Sequence, residues 1–197
     1  MKKIFFIFIF FTFSLINNSL AYSSDPQEFI SEVVVEAKNI LTESNSKEYK
    51  TKKLSDLALK TVDIKGVAFY TLGKYKKNLK DNQLEEFLGL FEKYFLKTFA
   101  SRLTDYSDPK INVIDAKILN EKYTIVKSIL VSTDKKPEVK IDWRIYTKNP
   151  EKPLIRDLII EGLSLARTEK EQFSSIIESS NGDFTKLLDT LRKFTAE

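Results

Sequence analysis

The segment Val139-Lys140-Ile141-Asp142-Trp143-Arg144-Ile145-Tyr146 alternates apolar and polar side chains. Successive side chains of a strand point to opposite faces, so Val139, Ile141, Trp143 and Ile145 share one face and Lys140, Asp142, Arg144 and Tyr146 the other. One buried and one wet face is the pattern of an antiparallel sheet. Runs equally rich in Ile, Val and aromatic residues cover Lys110 to Leu119, Tyr123 to Thr133 and Leu154 to Glu161. They are separated by Asn120-Glu121, Lys135-Lys136-Pro137 and Asn149 to Pro153, links short enough for hairpins. Four antiparallel strands in a meander are therefore expected.

On both sides of this block the period becomes helical. Asp25, Pro26 and Glu28 read as an N-cap, a first helical residue and the far side of a capping box, opening a helix to about Leu41. Residues 42–53 read as a polar, lysine-rich loop, Leu54 to Val62 as a short helix, and Asp63 as the cap of a third helix through Lys77. Asn82 and Glu85 form another capping box, opening a long helix to about Tyr106 that Asp108-Pro109 ends. After the strands, Thr168 and Glu171 open a helix through Ser179, and a last helix covers Asp183 to Phe194. Helices first, a four-stranded sheet next and helices last make an α+β fold.

The start of the chain sets the expected compartment. Lys2 and Lys3 precede an apolar run, Ile4 to Ile16, and Ser19 and Ala21 bracket Leu20. This is the layout of a secretory signal peptide, residues 1–21, cut after Ala21. The run is shorter than the roughly 20 residues a membrane span takes. Residues 22–197 are then one exported domain. With no cysteine, it has no disulfide, thiolate metal site or lipidated thiol to lean on and must stand on its apolar core. With no histidine, Ser-His-Asp and Cys-His pairs are excluded and the commonest zinc ligand is missing. The formal charge of +4 is too near balance to suggest nucleic acid as a partner.

Three features can carry chemistry. Asp157 and Glu161 share a strand face, but four strand steps separate them by about 13 Å, beyond the reach of paired glycosidase carboxylates. Asp157 is expected to meet a neighbouring strand or helix, and Glu161 to mark the turn at Gly162. Lys74, Lys76, Lys77 and Lys80 close the third helix, either as a solvated C-terminus favoured by the helix dipole or as a contact with an anionic surface or partner. The third feature is FLGLFEKYFLKTF, residues 87–99, with Phe87, Phe91, Phe95 and Phe99 at four-residue steps. Each step advances 400°, so the four rings sweep roughly 120° and stay on one broad helix face. That face reads as core or as the wall of a ligand site. A membrane-surface helix fits it worst, because few basic residues accompany the rings.

Four strings together carry a family resemblance: Asp63-Ile-Lys-Gly-Val-Ala-Phe-Tyr-Thr-Leu-Gly-Lys-Tyr75, Thr98-Phe-Ala-Ser-Arg-Leu-Thr-Asp-Tyr106, Arg156-Asp-Leu-Ile-Ile-Glu-Gly-Leu-Ser-Leu165 and Gln172-Phe-Ser-Ser-Ile-Ile177. In this order, behind a signal peptide, the chain resembles the MlaC family, also called the toluene-tolerance (Ttg2-type) family. It departs from the family's pattern at Lys76, Pro153 and Glu169, where aromatic residues are usual. The resemblance implies a monomeric periplasmic carrier, not an enzyme, that holds phospholipid tails in an apolar pocket between a curved sheet and helices. The phospholipid is cargo, and no cofactor or metal is implied. The implied partners are an inner-membrane ABC transporter with an MCE-domain component and an outer-membrane lipoprotein/porin complex. A hopanoid-associated branch of the family and a lipid-free periplasmic scaffold are the alternatives. On the carrier reading, the expected lining is Phe87, Phe91, Phe95 and Phe99 of the stripe, Ile141, Trp143 and Ile145 of the third strand, and Phe69 and Leu72 of the third helix.

Overall fold

Asp25 starts the first helix as its neighbours suggest, its Oδ1 accepting the N–H groups of Gln27 and Glu28 at 2.9 Å. In the computed structural model, which describes residues 21–131 and 137–196, helix α1 spans Pro26–Thr42. The expected signal peptide lies outside the described residues except for Ala21, as do Lys135 and Lys136 of the second hairpin link. Helix α2, Lys47–Thr61, begins well before Leu54. Ser46 caps it by accepting the Tyr49 N–H, so the lysine-rich stretch read as loop is largely the wet face of a helix buried through Leu54, Leu57 and Ala58.

Helix α3, Ile64–Leu72, is capped by Asp63, whose Oδ1 accepts the Gly66 N–H at 2.8 Å. It stops at Gly73, where φ is +52°, and the chain continues to Asn78 as a 3-10 helix. Helix α4, Asp81–Leu103, starts one residue before Asn82. The Gln83 side chain, not Glu85, reaches back to accept the Lys80 N–H.

Strands β1 (Ile111–Asn120), β2 (Tyr123–Leu130), β3 (Val139–Tyr146), β4 (Leu154–Ile160) and β5 (Leu163–Ser164) lie in chain order in one antiparallel sheet. The expected four strands become five. Glu161 and Gly162 both adopt positive φ, +49° and +83°, and reverse the chain within two residues, as type I′ hairpins do. The fifth strand is two residues long, too short for alternation to reveal. Irregular register in β1 between Val113 and Asp115, and in the β3–β4 pair at Arg144–Ile145, bends the sheet. Helix α5, Leu165–Ser179, follows directly with Ser164 as its cap, rather than starting at Thr168, and α6 covers Thr185–Ala196.

Phe29 and Ile30 of α1, Leu72 of α3, Phe87 and Phe91 of α4, Val126, Ile145 and Ile155 of the sheet, and Phe173 and Leu187 of the last two helices belong to one buried cluster. Helices α1, α3 and α5 approach the sheet, while α4 packs on α2, α3 and α6. The α3 start is bolted to the sheet. The Asp63 N–H donates to the Ile155 carbonyl at 2.9 Å, and Asp63 Oδ2 accepts the Arg156 Nε–H at 2.7 Å and forms an ion pair with Nη2 at 2.6 Å. The guanidinium lies 4.4 Å from the centroid of the Tyr146 ring and flat against Gly66, where an added Cβ would sit 2.3 Å from Arg156 Cζ. Gly66→Ala must therefore push Arg156 off Asp63. We expect a loss of about 2 kcal/mol, read as a lower denaturant midpoint at unchanged slope.

Candidate functional site

The phenylalanine stripe of α4 divides into two halves. Phe87 and Phe91 are 0% and 1% exposed, whereas Phe95 and Phe99 are half-buried. The first pair is held by the C-terminal helices. Phe173 of α5 meets both rings edge-on at 6.1 Å, and Phe184, just before α6, packs on Phe87 at 5.9 Å. The second pair stacks along the helix, Phe91 to Phe95 at 6.2 Å and Phe95 to Phe99 at 5.8 Å. These rings join the same apolar cluster as Trp143, Val113 and Ala116 of the sheet.

The sheet shows a similar gradient. Cross-strand pairing aligns Thr124 with Ile145, Val126 with Trp143 and Ser128 with Ile141, so these six share the inner face. Ile145, Val126 and their β4 neighbour Ile155 are sealed, while Ile141 and Trp143 are half-buried. The Trp143 indole N–H donates to Ser128 Oγ at 2.8 Å, and that hydroxyl donates to the Ile141 carbonyl at 3.0 Å. A buried serine thus fixes the indole across an otherwise apolar surface. Nothing in the alternation marked Ser128, because its value lies in a contact across strands.

Leu72 is buried in the same cluster. Phe69 stands apart: it is half-buried on the outer side of α3, with Lys76 Nζ 3.7 Å and Lys65 Nζ 5.8 Å from its ring centroid. The structure therefore brings seven of the nine expected lining residues into one apolar cluster or its border, with Ile141 on the same inner sheet face opposite Ser128 and Phe69 outside.

The two carboxylates singled out by sequence serve the backbone. Asp157 is buried; its oxygens accept the Ser164 hydroxyl at 2.6 Å and the Ala166 N–H at 3.0 Å, and Oδ2 forms an ion pair with Arg144 Nη1 at 3.3 Å. It closes the joint between β4 and the first turn of α5. Glu161 forms the turn and accepts the Lys140 N–H. Among the described residues no group of three or more His, Cys, Asp and Glu is placed to hold a metal ion.

One polar contact bridges α4 and α5. The Tyr94 hydroxyl donates to Glu169 at 2.8 Å. Burial holds the Glu169 carboxyl above the usual range, although the Tyr94 bond and the charge of Arg102 favour its ionised form. Burial, followed by the Glu169 charge, also raises the Tyr94 phenol.

The architecture defines an α+β domain in which an aromatic helix and the inner face of a bent antiparallel sheet share one apolar interior. The chain belongs to the MlaC protein family, whose model matches residues 27–193. It is similar in fold to a phospholipid-binding protein from Ralstonia solanacearum, a structure solved in complex with a phospholipid. That likeness has a TM-score of 0.72 at 19% identity and covers 86% of this chain and 96% of the other. No curated protein matches the sequence. Among the described residues no helix is long and apolar enough to cross a membrane.

Two measurements check the polar anchors. Asp157→Ala strands the Ser164 hydroxyl, the Ala166 N–H and the Arg144 guanidinium, so it should cost about 3 kcal/mol and lower Tm by about 6–12 °C in a thermal melt. Glu169 has a raised folded pKa, so its contribution is full below the unfolded value and is lost as pH rises through the folded one. Glu169→Gln keeps an acceptor for Tyr94 but cannot ionise. Its melting temperature relative to the parent should therefore be higher at pH 7.5 than at pH 4.

Proposed function

We propose that residues 22–197 act as one carrier domain that binds a phospholipid by its acyl chains and moves it across the periplasm. The observation that carries this reading is the half-buried aromatic surface at the end of a sealed core. Phe95, Phe99, Ile141 and Trp143 are large apolar groups left partly uncovered, and Phe87, Phe91, Leu72 and Ile145 form the rigid wall behind them. Family membership and the phospholipid in the Ralstonia relative of the same fold support the same cargo.

Thermodynamics favours such a design. Each buried CH₂ is worth about 0.8 kcal/mol relative to water, so a two-chain lipid cannot cross an aqueous gap unprotected. A bilayer and an apolar pocket offer nearly the same solvent to the chains. Transfer between them is then close to balanced, and docking partners set its rate and direction. Those partners are an inner-membrane ABC transporter with an MCE-domain component at one end and an outer-membrane lipoprotein/porin complex at the other. The carrier works as a periplasmic monomer delivered by its signal peptide, with lipid as cargo and no catalytic step.

Native mass spectrometry of protein purified from a Gram-negative host tests the reading. A phospholipid mass adduct is expected. A hopanoid adduct would change the cargo, and the absence of both a co-purifying lipid and any binding of added phospholipid would overturn the carrier. Replacing both Phe95 and Phe99 by Glu should reduce the bound lipid at least about tenfold with the fold retained, since a charge in an acyl-chain wall is costly while half-buried sites leave it hydrated. Phe87→Ala should act differently, lowering stability by about 3–5 kcal/mol through the cavity it opens.

A further inference from the structure

The lysine-rich end of α3 is not used by the lipid-holding interior. Residues 64–80 contain five lysines and no Asp or Glu, leaving 27 basic residues against 28 acidic ones in the rest of the chain. This acid-free segment alone carries +5, more than the +4 of the whole chain. Its geometry is organised around two aromatic rings. Lys65 and Lys76 both lie over Phe69, and Lys170 of α5 lies 5.3 Å from the centroid of the neighbouring Tyr70 ring, which is 42% exposed. Gly73 permits this arrangement. It has φ +52°, and a Cβ there would meet Lys170 Cε at 2.7 Å, so the lysine stem crosses the backbone where the helix ends.

The cations are uncommitted. Among the described residues, no carboxylate lies within salt-bridge distance of Lys65, Lys76, Lys77 or Lys170. Lys74 is the exception, bound to Glu178, which also accepts the Tyr75 hydroxyl. Glu171 is the other acid lining the adjacent shallow cleft. Lysines held over aromatic rings by cation–π attraction alone are free to turn outward. The set consists of point-charge ammonium groups, joined at the cleft by the exposed Arg167, and it flanks rings that become uncovered when the ammonium groups leave. Ammonium groups suit a plane of lipid phosphates, and aromatic rings suit the headgroup boundary beneath it.

The geometry points to this face, built from α3, the following 3-10 helix and the start of α5, as a docking surface for an anionic lipid bilayer. Lys65, Lys76, Lys77 and Lys170 swing to phosphate oxygens, and Phe69 and Tyr70 settle at the headgroup level. The contact is electrostatic, reversible and salt-sensitive. It is separate from the lipid-holding interior, and its test reads a different quantity.

Flotation of the mature chain with protein-free vesicles tests it. Binding is expected to vesicles containing phosphatidylglycerol, not to phosphatidylcholine vesicles, and to be lost at high salt. Changing Lys65, Lys76, Lys77 and Lys170 together to Gln should weaken it about a hundredfold, given the attraction each surface lysine contributes. The same charge change at the exposed Lys47, Lys52, Lys53 and Lys60 of α2 should alter it less than about threefold. Phe69→Ala should weaken binding with circular dichroism unchanged. Absence of binding to the anionic vesicles, or equal loss in both quadruple variants, overturns the proposal. So does binding that appears only when the vesicles carry membrane proteins, which would make the face a protein-docking surface. Native mass spectrometry of the first quadruple variant should still find its lipid, which separates failure of the docking face from failure of the carrier reading.

Discussion

Phe87 and Phe91 are clamped from the side by Phe173 and from the end by Phe184, and the position of α4 depends on that clamp. The two C-terminal helices reach α4 only after the chain has traversed the whole sheet, so the contact joins segments distant in sequence. Edge-on aromatic contacts are worth about 1 kcal/mol each beyond the area they bury, and they fix ring orientation as well as distance. With its N-terminal half held in this way, and Ala100 and Leu103 packed on Ile40, Leu41, Leu54 and Leu57 of α1 and α2, α4 holds Phe95 and Phe99 between two anchored ends. The rings stay half-covered because the helix is anchored elsewhere and cannot collapse to bury them. A partly uncovered apolar surface needs such an outside support, because packing forces would otherwise cover it.

Two aspartates supply the remaining supports. Asp63 caps α3 with one oxygen and holds Arg156 of β4 with the other. Asp157, one residue further along β4, ties that strand to the first turn of α5. Adjacent positions of one strand thus orient two helices, α3 and α5, which pack on each other. The Glu161-Gly162 turn sets the direction in which α5 leaves. These contacts explain why strings such as Asp63-Ile-Lys-Gly66 and Asp157-Leu-Ile-Ile-Glu-Gly-Leu-Ser164 are so recognisable. Both are joints, in which a carboxylate and a glycine occur at a definite spacing, joined in the second string by the capping hydroxyl of Ser164.

The period-two pattern of Val139 to Tyr146 sufficed for the sheet and its inner face, because alternation is a local consequence of the pleat. Capping chemistry placed α1 and α3 from single residues, Asp25 and Asp63, for the same reason. Where local signals were ambiguous the boundaries moved. Ser46 out-competed the polar look of residues 42–53, and Gln83 out-competed Glu85. Ser164 was hidden as a cap because it is also the second residue of a two-residue strand. In the candidate site, the stripe was visible as a period of four. Its division into a sealed and an uncovered half was not, since all four residues are phenylalanine. Phe69 shows the same limit from the other side, an apolar residue whose surroundings are two lysines.

By itself, then, the sequence determined which residues are apolar together, where most chain reversals fall, which catalytic chemistries are impossible without histidine or cysteine, and which family the strings resemble. All of these are properties of composition or of neighbours within a few positions. Only the tertiary structure decided that Phe173 and Phe184 close on the first half of the stripe, that Asp157 is a joint, and that Lys65, Lys76 and Lys170 converge on one face. The physical reason is that exposure and contact depend on what arrives from elsewhere in the chain, and helix periodicity carries no information about that.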